Sequence, residues 1–420
     1  MQILKFGGAS VKDAQGVKNL KKVLEITGTK ETLIIASAMG KTTNALEKVI
    51  QNYYNAKHEL QSSIQEVKKY HNCILLDLFE DVKHPVFEKI SKLFEELNDF
   101  YRRNKSPNYN FIYDQTIGYG ELVSTTIISY YLNDQGVKNT WMDVRELIKT
   151  NKNYRNAKVK WDITLANIKK AAKPKELIVS QGFIASDDNN FTTTLGREGS
   201  DYSAAIFAYC LNAKSVTVWK DVPGILNADP RYFENSTLLK SLSYEEAIEL
   251  SYYGASVIHP KTLQPLKLKE IPLHVKSFTN PNKPGTIVGK GLKLKPNITC
   301  YTLRKNQTLL TVSSLDFSYI MEENIIHIFN LLELSKMKIN LVQNSAISFN
   351  VCVENNFNKL DLLSQQLKAK YNLKINKNVN IFTLRNYTTN SIIEIEKNRT
   401  VLLKQITSKI VQIVTDEVKK

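Results

Sequence analysis

The amino-acid sequence predicts an α/β protein with an open, mostly parallel sheet in three layers, followed by a smaller α+β region. Two observations support this fold class. Apolar runs of strand length lead into glycine turns and then into helical periodicity, at Gln2–Ser10 and again at Leu33–Asn44. Strand and helix patterns of a second kind follow residues 285–296, where glycines and a proline interrupt a lysine-rich stretch.

The first glycine turn follows a short apolar strand at the N-terminus. Its Gly7-Gly8 pair lets main-chain N–H groups face phosphate oxygens, and Lys5 can place a compact positive charge against a phosphoryl group. A glycine pair after one strand is weak evidence by itself. The spacing matches neither a Walker A loop nor a dinucleotide-binding G-x-G-x-x-G.

The second glycine turn, at Gly40, precedes a helix that we expect to begin near Ala45. Lys41 in this turn is a candidate phosphate contact, and plain solvent exposure is an equal alternative. Further along, Ile117–Ser124 predicts the opening of another helix, with Glu121 in its first turn. Glu121 either complements the helix dipole or holds a substrate ammonium.

A guanidinium, a carboxylate, a hydroxyl and glycines meet at the predicted start of a later helix. Gly196 and Gly199 allow close backbone approach, while Ser200 or Asp201 can cap the helix, whose free N–H groups attract an anion. Arg197 adds a planar fork suited to a carboxylate. An ordinary capped turn would explain the Ser-Asp pair alone, but the combination favours a site for a small anionic substrate.

A β-branched strand at 215–219 runs into a long turn that contains two prolines and a glycine. The turn also carries Asp221, Asp229 and Arg231. Because open α/β folds bind ligands in loops at the ends of their strands, this turn is a candidate part of the same site.

The composition limits which kinds of binding partner and which cellular compartment we expect. The net charge of +16 would suit nucleic acid. Lysine, however, far exceeds arginine and is spread along the chain, without a zinc finger, recognition helix or ribonucleoprotein motif, so we expect no specific nucleic-acid partner. Four scattered cysteines without metal spacing predict reduced thiols. No apolar run approaches the roughly 20 residues that span a bilayer, and the first strand begins at once, which predicts a cytoplasmic protein without a membrane partner.

The C-terminal region alternates strands and helices. The strands are expected at Thr308–Val312, Ile347–Val353, Ile381–Leu384 and Lys409–Val414. The helices are expected at Glu323–Leu334, Lys359–Lys370 and Ser391–Leu403.

Together these motifs resemble the aspartate kinase family, within the amino-acid kinase superfamily, and the resemblance covers essentially the whole chain. The C-terminal order resembles the ferredoxin-like ACT modules that aspartate kinases carry. The matching segments are residues 5–10 (Lys-Phe-Gly-Gly-Ala-Ser), 37–44 (Ser-Ala-Met-Gly-Lys-Thr-Thr-Asn), 196–201 (Gly-Arg-Glu-Gly-Ser-Asp), 221–231 (Asp-Val-Pro-Gly-Ile-Leu-Asn-Ala-Asp-Pro-Arg), 254–262 and 280–286. Individually each segment is modest evidence, and jointly they are specific.

The resemblance implies ATP-dependent phosphorylation of the side-chain carboxylate of L-aspartate to 4-phospho-L-aspartate, which opens lysine, threonine and methionine biosynthesis. A carboxylate is already a nucleophile at neutral pH, so alignment and charge neutralisation suffice. Mg²⁺ is expected to accompany ATP, bound through phosphate oxygens and water, and no dedicated metal site is expected.

The resemblance also assigns roles to residues. Arg197 would grip the α-carboxylate of aspartate and Glu121 would meet its amino group, whereas Lys5 would stabilise charge on the γ-phosphoryl group. The full set is Lys5, Gly8 and Asp201 for catalysis; Thr43, Glu121, Arg197, Gly199 and Ser200 for the substrate; and Lys5, Gly7, Gly8, Ser10, Lys220, Asp221, Leu226 and Arg231 for the nucleotide.

Four positions depart from the family pattern. The family commonly has glycine at Glu198, threonine at Lys220 and an adenine-stacking tyrosine at Leu226. Ser256 stands where the family often has a basic residue that assists the phosphates, and nearby Lys261 is a candidate substitute.

The resemblance implies a catalytic domain over 1–290 and a regulatory ACT region over 298–420, with the first ACT unit at about 306–376 and a contracted second unit. Asn340 and Ala346 stand where lysine-sensitive relatives tend to have acids, and neither can neutralise an ammonium group. Feedback by lysine, by threonine or by no effector therefore stays open. ACT modules usually pair across chains, so a homodimer or higher homo-oligomer is expected.

Two other kinds of function are alternatives. One is another amino-acid kinase, acting on acetylglutamate, glutamate, carbamate or UMP, although these relatives generally lack the ACT tail. The other is a catalytically weak ACT-type amino-acid sensor in which the changes at Leu226 and Ser256 have reduced turnover. An RNA-binding protein is a distant third.

Overall fold

The structure, a computed structural model, describes residues 1–172, 176–255, 258–316, 318–355 and 358–416. The chain divides into two compact units. The first unit comprises Met1–Leu226, Leu238–Ser251 and Ser256–Pro296. The second unit comprises Asn227–Thr237, Tyr252–Ala255 and Asn297–Lys420.

The first unit contains a large sheet and the helices that pack on it. Its strands are β1 (Gln2–Phe6), β2 (Thr32–Ala36), β3 (Thr140–Met142), β4 (Leu177–Gln181), β5 (Ile184–Ser186), β6 (Thr192–Thr194), β7 (Ser215–Lys220), β8 (Ser241–Leu242), β9 (Leu273–Ser277) and β10 (Thr286–Val288). Its helices are α1 (Ala14–Thr27), α2 (Thr42–Asn55), α3 (Leu60–Leu78), α4 (Pro85–Arg103), α5 (Tyr109–Asp134), α6 (Val144–Leu147), α7 (Trp161–Ala171), α8 (Gly199–Leu211), α9 (Tyr244–Tyr253), whose last two residues fall in the second unit, and α10 (Pro260–Leu268).

The sheet order is β3-β4-β2-β1-β7-β9-β10-β8. Neighbouring strands run parallel except β9 and β10, which are antiparallel. Ile3 and Leu4 of β1 are fully buried although they point to opposite faces, so both faces of the sheet are covered. The predicted open, mostly parallel sheet is confirmed. Because β1, β2 and β7 are parallel neighbours, the turns that follow them meet at one edge.

Helices α2, α3 and α4 follow one another along the chain between Thr42 and Arg103. The helix expected near Ala45 begins three residues earlier, at Thr42. Helix α5 packs against α2, α4 and the sheet, and most of its residues are buried, which explains why its sequence shows little amphipathic pattern.

The second unit is an antiparallel sheet with helices. Its strands are β11 (Cys300–Ser313), β12 (Lys338–Asn344), β13 (Ser348–Glu354), β14 (Asn372–Arg385), β15 (Val401–Ile406) and β16 (Ile410–Thr415), and its helices are α11 (Glu322–Leu334), α12 (Leu360–Lys368) and α13 (Thr389–Glu396). The sheet order is β12-β13-β11-β14-β16-β15. Long strands β11 and β14 pair along both halves of this sheet. One core packs around Ile328, Leu332 and Phe349, and another around Phe382 and Ile395.

One predicted element of the second unit is wrong. The helix expected over Ser391–Leu403 ends at Glu396, and Val401–Ile406 forms a strand instead. Asn398 adopts a left-handed φ of 61°, which is incompatible with continuing the helix. The apolar residues of β15 pair with β16, so tertiary pairing decides their conformation.

Two expectations from composition can be compared with the structure. No helix among the described residues is both long enough and apolar enough to cross a membrane. Cys73, Cys210, Cys300 and Cys352 form no disulfide, in agreement with their spacing.

His71 of α3 is buried between helices, where its Nδ1 lies 2.8 Å from the carbonyl of Val67 and its Nε2 lies 3.3 Å from the hydroxyl of Thr42. Burial lowers the pKa of His71 from 6.5 to about 4, because the charged imidazolium loses its hydration. Between these values the unfolded chain binds more protons than the folded chain. Stability from this site is therefore complete above pH 6.5 and falls as the pH decreases toward 4.

We predict that the free energy of unfolding decreases by up to about 3 kcal/mol between pH 7 and 4 because of His71. Urea titrations across this range should show a shallower pH dependence for His71→Gln than for the wild-type protein. His58→Gln is the matched control, since His58 is exposed. Identical pH slopes for wild type and His71→Gln would contradict the prediction.

Candidate active site

The two glycine turns touch each other beside the carboxyl ends of β1 and β2. The amide of Gly40 donates to the carbonyl of Gly8 at 3.0 Å. A Cβ on Gly8 would lie only 2.6 Å from the carbonyl oxygen of Ala38, so this contact requires glycine. The hydroxyl of Ser10 lies 3.4 Å from the carbonyl of Trp219, at the end of β7. The segments that follow the neighbouring strands β1, β2 and β7 therefore lie together at one edge of the sheet.

Two lysines share one buried carboxylate at this edge. The ammonium of Lys5 on β1 lies 2.7 Å from Oδ1 of Asp201, and that of Lys220 on β7 lies 3.4 Å from Oδ2. Asp201, in the first turn of α8, is 2% exposed. Burial alone raises the pKa of Asp201, but the charges of Lys5 and Lys220 outweigh it and hold the pKa below its usual range. Asp201 is therefore ionised and positions both ammonium groups.

Glu121 lies near the middle of α5, so its predicted place in a first helical turn is wrong. The neighbouring glycine does not mark a helix start. A Cβ on Gly120 would lie only 2.9 Å from Cβ of Ala38. Glycine at this position therefore permits α5 to pack closely on the second glycine turn, which follows β2. The amide of Ala38 donates to Oε1 of Glu121 at 3.3 Å.

The other carboxyl oxygen of Glu121, Oε2, is buried without a hydrogen-bond partner among the described residues. Burial raises the pKa of Glu121 to about 8, against the opposing effects of the Ala38 amide and the Lys5 charge. An unpaired buried carboxyl oxygen is costly, so this atom is suited to a cationic group that arrives with a ligand.

Helix α8 begins differently from the prediction. Its N-cap is Glu198, in a left-handed conformation with φ 53° and no side-chain cap bond, whereas Ser200 and Asp201 lie in the first turn. A left-handed backbone favours glycine, the residue expected here from the family pattern. Burial raises the pKa of Glu198, and its Oε2 is also without a partner among the described residues. The hydroxyl of Ser200 accepts from Ser37 at 2.9 Å.

A cavity of about 480 Å³ joins these groups within the first unit. It brings together most of the substrate and catalytic residues expected from sequence, with half-buried Thr43 and exposed Arg197 at its wall. The expected residues that line it are Lys5, Thr43, Glu121, Arg197, Gly199, Ser200, Asp201 and Lys220.

The remaining predicted nucleotide residues lie outside this lining. Gly7, Gly8 and Ser10 form the adjacent turn, and Asp221 is exposed directly after β7. Leu226 bridges to Leu238. Arg231 belongs to the second unit, where it forms an ion pair with Asp229 at 2.6 Å. Their roles stay predictions.

Two other lysines that are candidates for phosphate contact, Lys41 and Lys261, lie outside the lining of this cavity. Lys261, the candidate substitute for the basic residue missing at position 256, donates to the side chain of Asn156 at 2.5 Å. Ser256 itself lies outside the described residues. Lys41 lines a separate cavity of about 580 Å³ with Tyr70. Neither lysine lines the cavity that contains Lys5.

Several lining residues were missed by sequence reasoning, namely Ser37, Tyr113, Arg155, Phe183 and Thr194. They come from separate loops, helix α5 and strand β6, and only the fold brings them together. Arg155 and Phe183 each have a φ of 68°, a conformation that nothing in an arginine or phenylalanine indicates.

The cavity contains a carboxylate that is paired with cations and a carboxyl group with an oxygen that has no partner among the described residues. Asp201 is paired with lysines, while Glu121 offers an unpaired oxygen. This arrangement can hold a zwitterionic ligand while lysine ammonium groups face negative charge that develops during group transfer. No group of three or more possible metal ligands occurs among the residues that the structure describes.

Comparison with known proteins points to one family. The model of the amino acid kinase family matches residues 1–277. Lysine-sensitive aspartokinase 3 of Escherichia coli is 31% identical over 359 residues, which cover 82% of this chain and 76% of that protein. The crystal structure of E. coli aspartokinase III in complex with aspartate and ADP superposes with a TM-score of 0.82 at 25% identity, covering 99% of this chain and 96% of that one.

Other relatives are much longer. The chloroplastic bifunctional aspartokinase/homoserine dehydrogenase 2 of Arabidopsis thaliana is 33% identical over 296 residues, or 68% of this chain. The match spans only 32% of that protein, so the chain corresponds to about a third of its length.

Proposed function

This chain belongs to the amino acid kinase family, and within it to the aspartokinases, and we propose that it transfers the γ-phosphoryl group of ATP to the side-chain carboxylate of L-aspartate. The observation that carries the proposal is that one cavity contains both a pair of lysine ammonium groups and an unpaired carboxyl oxygen. Asp201 holds Lys5 and Lys220 at one part of it, and the unpaired Glu121 oxygen lies at another. A charged amino acid and a phosphoryl group can thus meet there.

Aspartate supplies the charges that the substrate part of the cavity lacks. Its ammonium group pairs with Glu121, and its α-carboxylate pairs with the guanidinium of Arg197. Thr43 and Ser200 offer hydroxyl groups at the same wall. Two fixed charges at the α-carbon direct the side-chain carboxylate toward the lysines, which orients it for attack.

Phosphoryl transfer needs no general base. An oxygen of the aspartate side-chain carboxylate forms a bond to the γ-phosphorus of ATP, while the bond from that phosphorus to the β,γ-bridging oxygen breaks and ADP leaves with those electrons. Lys5 neutralises charge on the transferring group, and Lys220 faces the same charge. Asp201 keeps both ammonium groups in place.

Mg²⁺ fits the residues at this site as a companion of ATP. The oxygen Oε2 of Glu198, which has no partner among the described residues, is a suitable carboxylate ligand, and phosphate oxygens and water supply the remainder. When bound, the ion neutralises phosphate charge. Gly7, Gly8 and Ser10 would face the phosphates, and Asp221 and Leu226 would contact the rest of the nucleotide.

The proposal extends to the organisation of the chain. We propose a catalytic domain over 1–290, a regulatory ACT region over 298–420, a homo-oligomeric state and a cytoplasmic location. E. coli aspartokinase III has been crystallised with lysine and aspartate. In this chain Asn340 has an amide in place of a carboxylate, so it cannot neutralise the ammonium group of a lysine effector. The amide is buried and already bonded to Gln307 and Arg304.

The experiment that tests the proposed function is ADP release under Mg-ATP with different acceptors. L-Aspartate, acetylglutamate, L-glutamate and UMP are compared, with hydroxylamine to trap an acyl phosphate and with lysine or threonine added in turn. We expect hydroxamate with aspartate alone. Hydroxamate with another acceptor would identify that acceptor, rather than aspartate, as the substrate. No turnover with any acceptor would favour the amino-acid sensor as the function.

We predict that Lys5→Ala lowers kcat by about a hundredfold or more while the KM for ATP changes little, because Lys5 meets charge that develops in the transition state. Steady-state kinetics with both substrates measure this. Lys12→Ala is the matched control, since Lys12 is exposed beyond the same glycine turn. A kcat within a few fold of wild type would remove Lys5 from catalysis.

We predict that aspartate binding at pH 7 releases up to about one proton. The pKa of Glu121 is raised to about 8 by burial, so its carboxyl is mostly protonated at pH 7 in the free protein, and an arriving ammonium group favours the ionised form. Affinity for aspartate should therefore increase as the pH rises through about 8.

Calorimetry in two buffers with different ionisation enthalpies measures the protons released. Glu121→Gln should bind aspartate more weakly and release none, whereas Glu25→Gln, at an exposed position, should match the wild type. Binding by the wild type without proton release would mean that Glu121 does not receive the ammonium group.

A further inference from the structure

Arg155 lines the candidate cavity and is held in an unusual backbone conformation. Its φ is 68°, in the left-handed region that arginine rarely adopts. Such conformations persist only where surrounding contacts fix them, and they are concentrated at functional sites.

A buried carboxylate fixes the backbone of Arg155. The amide of Arg155 donates to both oxygens of Asp114 on α5, at 3.1 and 2.9 Å. Asp114 also accepts from the amide and the hydroxyl of Thr194, each at 2.8 Å. Asp114 is fully buried, so these bonds join the loop of Arg155 firmly to the strand that leads toward Arg197.

Aromatic rings position the side chain. The guanidinium of Arg155 lies 4.3 Å from the centre of the Tyr113 ring and 5.8 Å from that of Tyr109. The hydroxyl of Tyr113 donates to Glu47 at 2.9 Å, which fixes the ring. Among the residues described by the structure, no carboxylate forms an ion pair with Arg155. Its planar donors are therefore available to a ligand.

Arg155 and Arg197 come from neighbouring backbone. A Cβ on Gly196 would lie 3.2 Å from the carbonyl oxygen of Arg155, so the residue before Arg197 touches Arg155 directly. Two guanidinium groups that line one cavity repel each other until an anion lies between them. The lysine ammonium groups, by contrast, are paired with Asp201.

We propose that Arg155 is a second guanidinium that binds the α-carboxylate of the amino-acid substrate together with Arg197, and that Asp114 is the residue that positions it. This inference rests on the proposed function. It makes Arg155 a determinant of substrate affinity, separate from the lysines that face the phosphates.

The test uses Arg155→Gly. Glycine adopts a left-handed φ without strain, so the variant removes the guanidinium while the backbone keeps its conformation. We expect the KM for aspartate to rise about tenfold or more, as for a lost bond to a charged group, with the KM for ATP within about twofold of wild type. The melting temperature should be unchanged or higher, which excludes misfolding as the cause.

Two further variants sharpen the test. Lys152→Gln removes one positive charge from an exposed position in the same loop and should leave both KM values unchanged, which separates contact from general charge. Arg155→Lys should recover only part of the affinity, because an ammonium group cannot form the planar fork.

The outcomes separate this inference from the proposed function. Wild-type turnover with aspartate, together with an unchanged aspartate KM in Arg155→Gly, would overturn the role of Arg155 alone. An equal rise in the KM for ATP would reassign Arg155 to the nucleotide. Absence of aspartate-dependent turnover in the wild type would refute the proposed function itself, and the inference with it.

Discussion

The buried carboxylate of Asp201 between two lysine ammonium groups is the interaction on which the site depends. It joins β1, β7 and α8 through Lys5 and Asp201, which are almost excluded from water, and Lys220, which is partly exposed. A buried ion pair contributes little net stability, because desolvation offsets much of its Coulomb energy, but removing one partner leaves an uncompensated charge. The pairing therefore fixes where positive charge stands at the carboxyl ends of the strands.

The strands and the glycine turns could be predicted from sequence because their signals are local, whereas the substrate roles were implied by the resemblance to a family and stay predictions. An apolar run before Gly7-Gly8 specifies a strand and a turn whatever surrounds it. Glu121 lies in mid-helix rather than in a first turn, because Gly120 beside it serves close packing against Ala38, a residue distant in sequence. The helix expected at Ser391–Leu403 is shorter for a similar reason, since pairing with β16 makes the end of that segment a strand. Local patterns do not encode such partners.

Arg155 illustrates a second limit on prediction. Its part in the cavity depends on Asp114, Tyr113 and Thr194, which lie on a helix and a strand far from it in sequence. An arginine in a polar loop has no pattern that predicts burial of its neighbours or a left-handed backbone. The contact exists only once α5 and β6 have packed, so it could be found only in the structure.

The charged residues that replace expected uncharged ones compensate one another. Lys220 adds a positive charge near Asp201, and it is the strongest of the charges that oppose the rise in the pKa of Glu198 caused by burial. A lysine alone would make this part of the cavity more positive, and a glutamate alone would make it more negative. Together they keep the local charge near that of an uncharged pair, and both residues line the cavity. We therefore interpret Glu198 and Lys220 as one linked change.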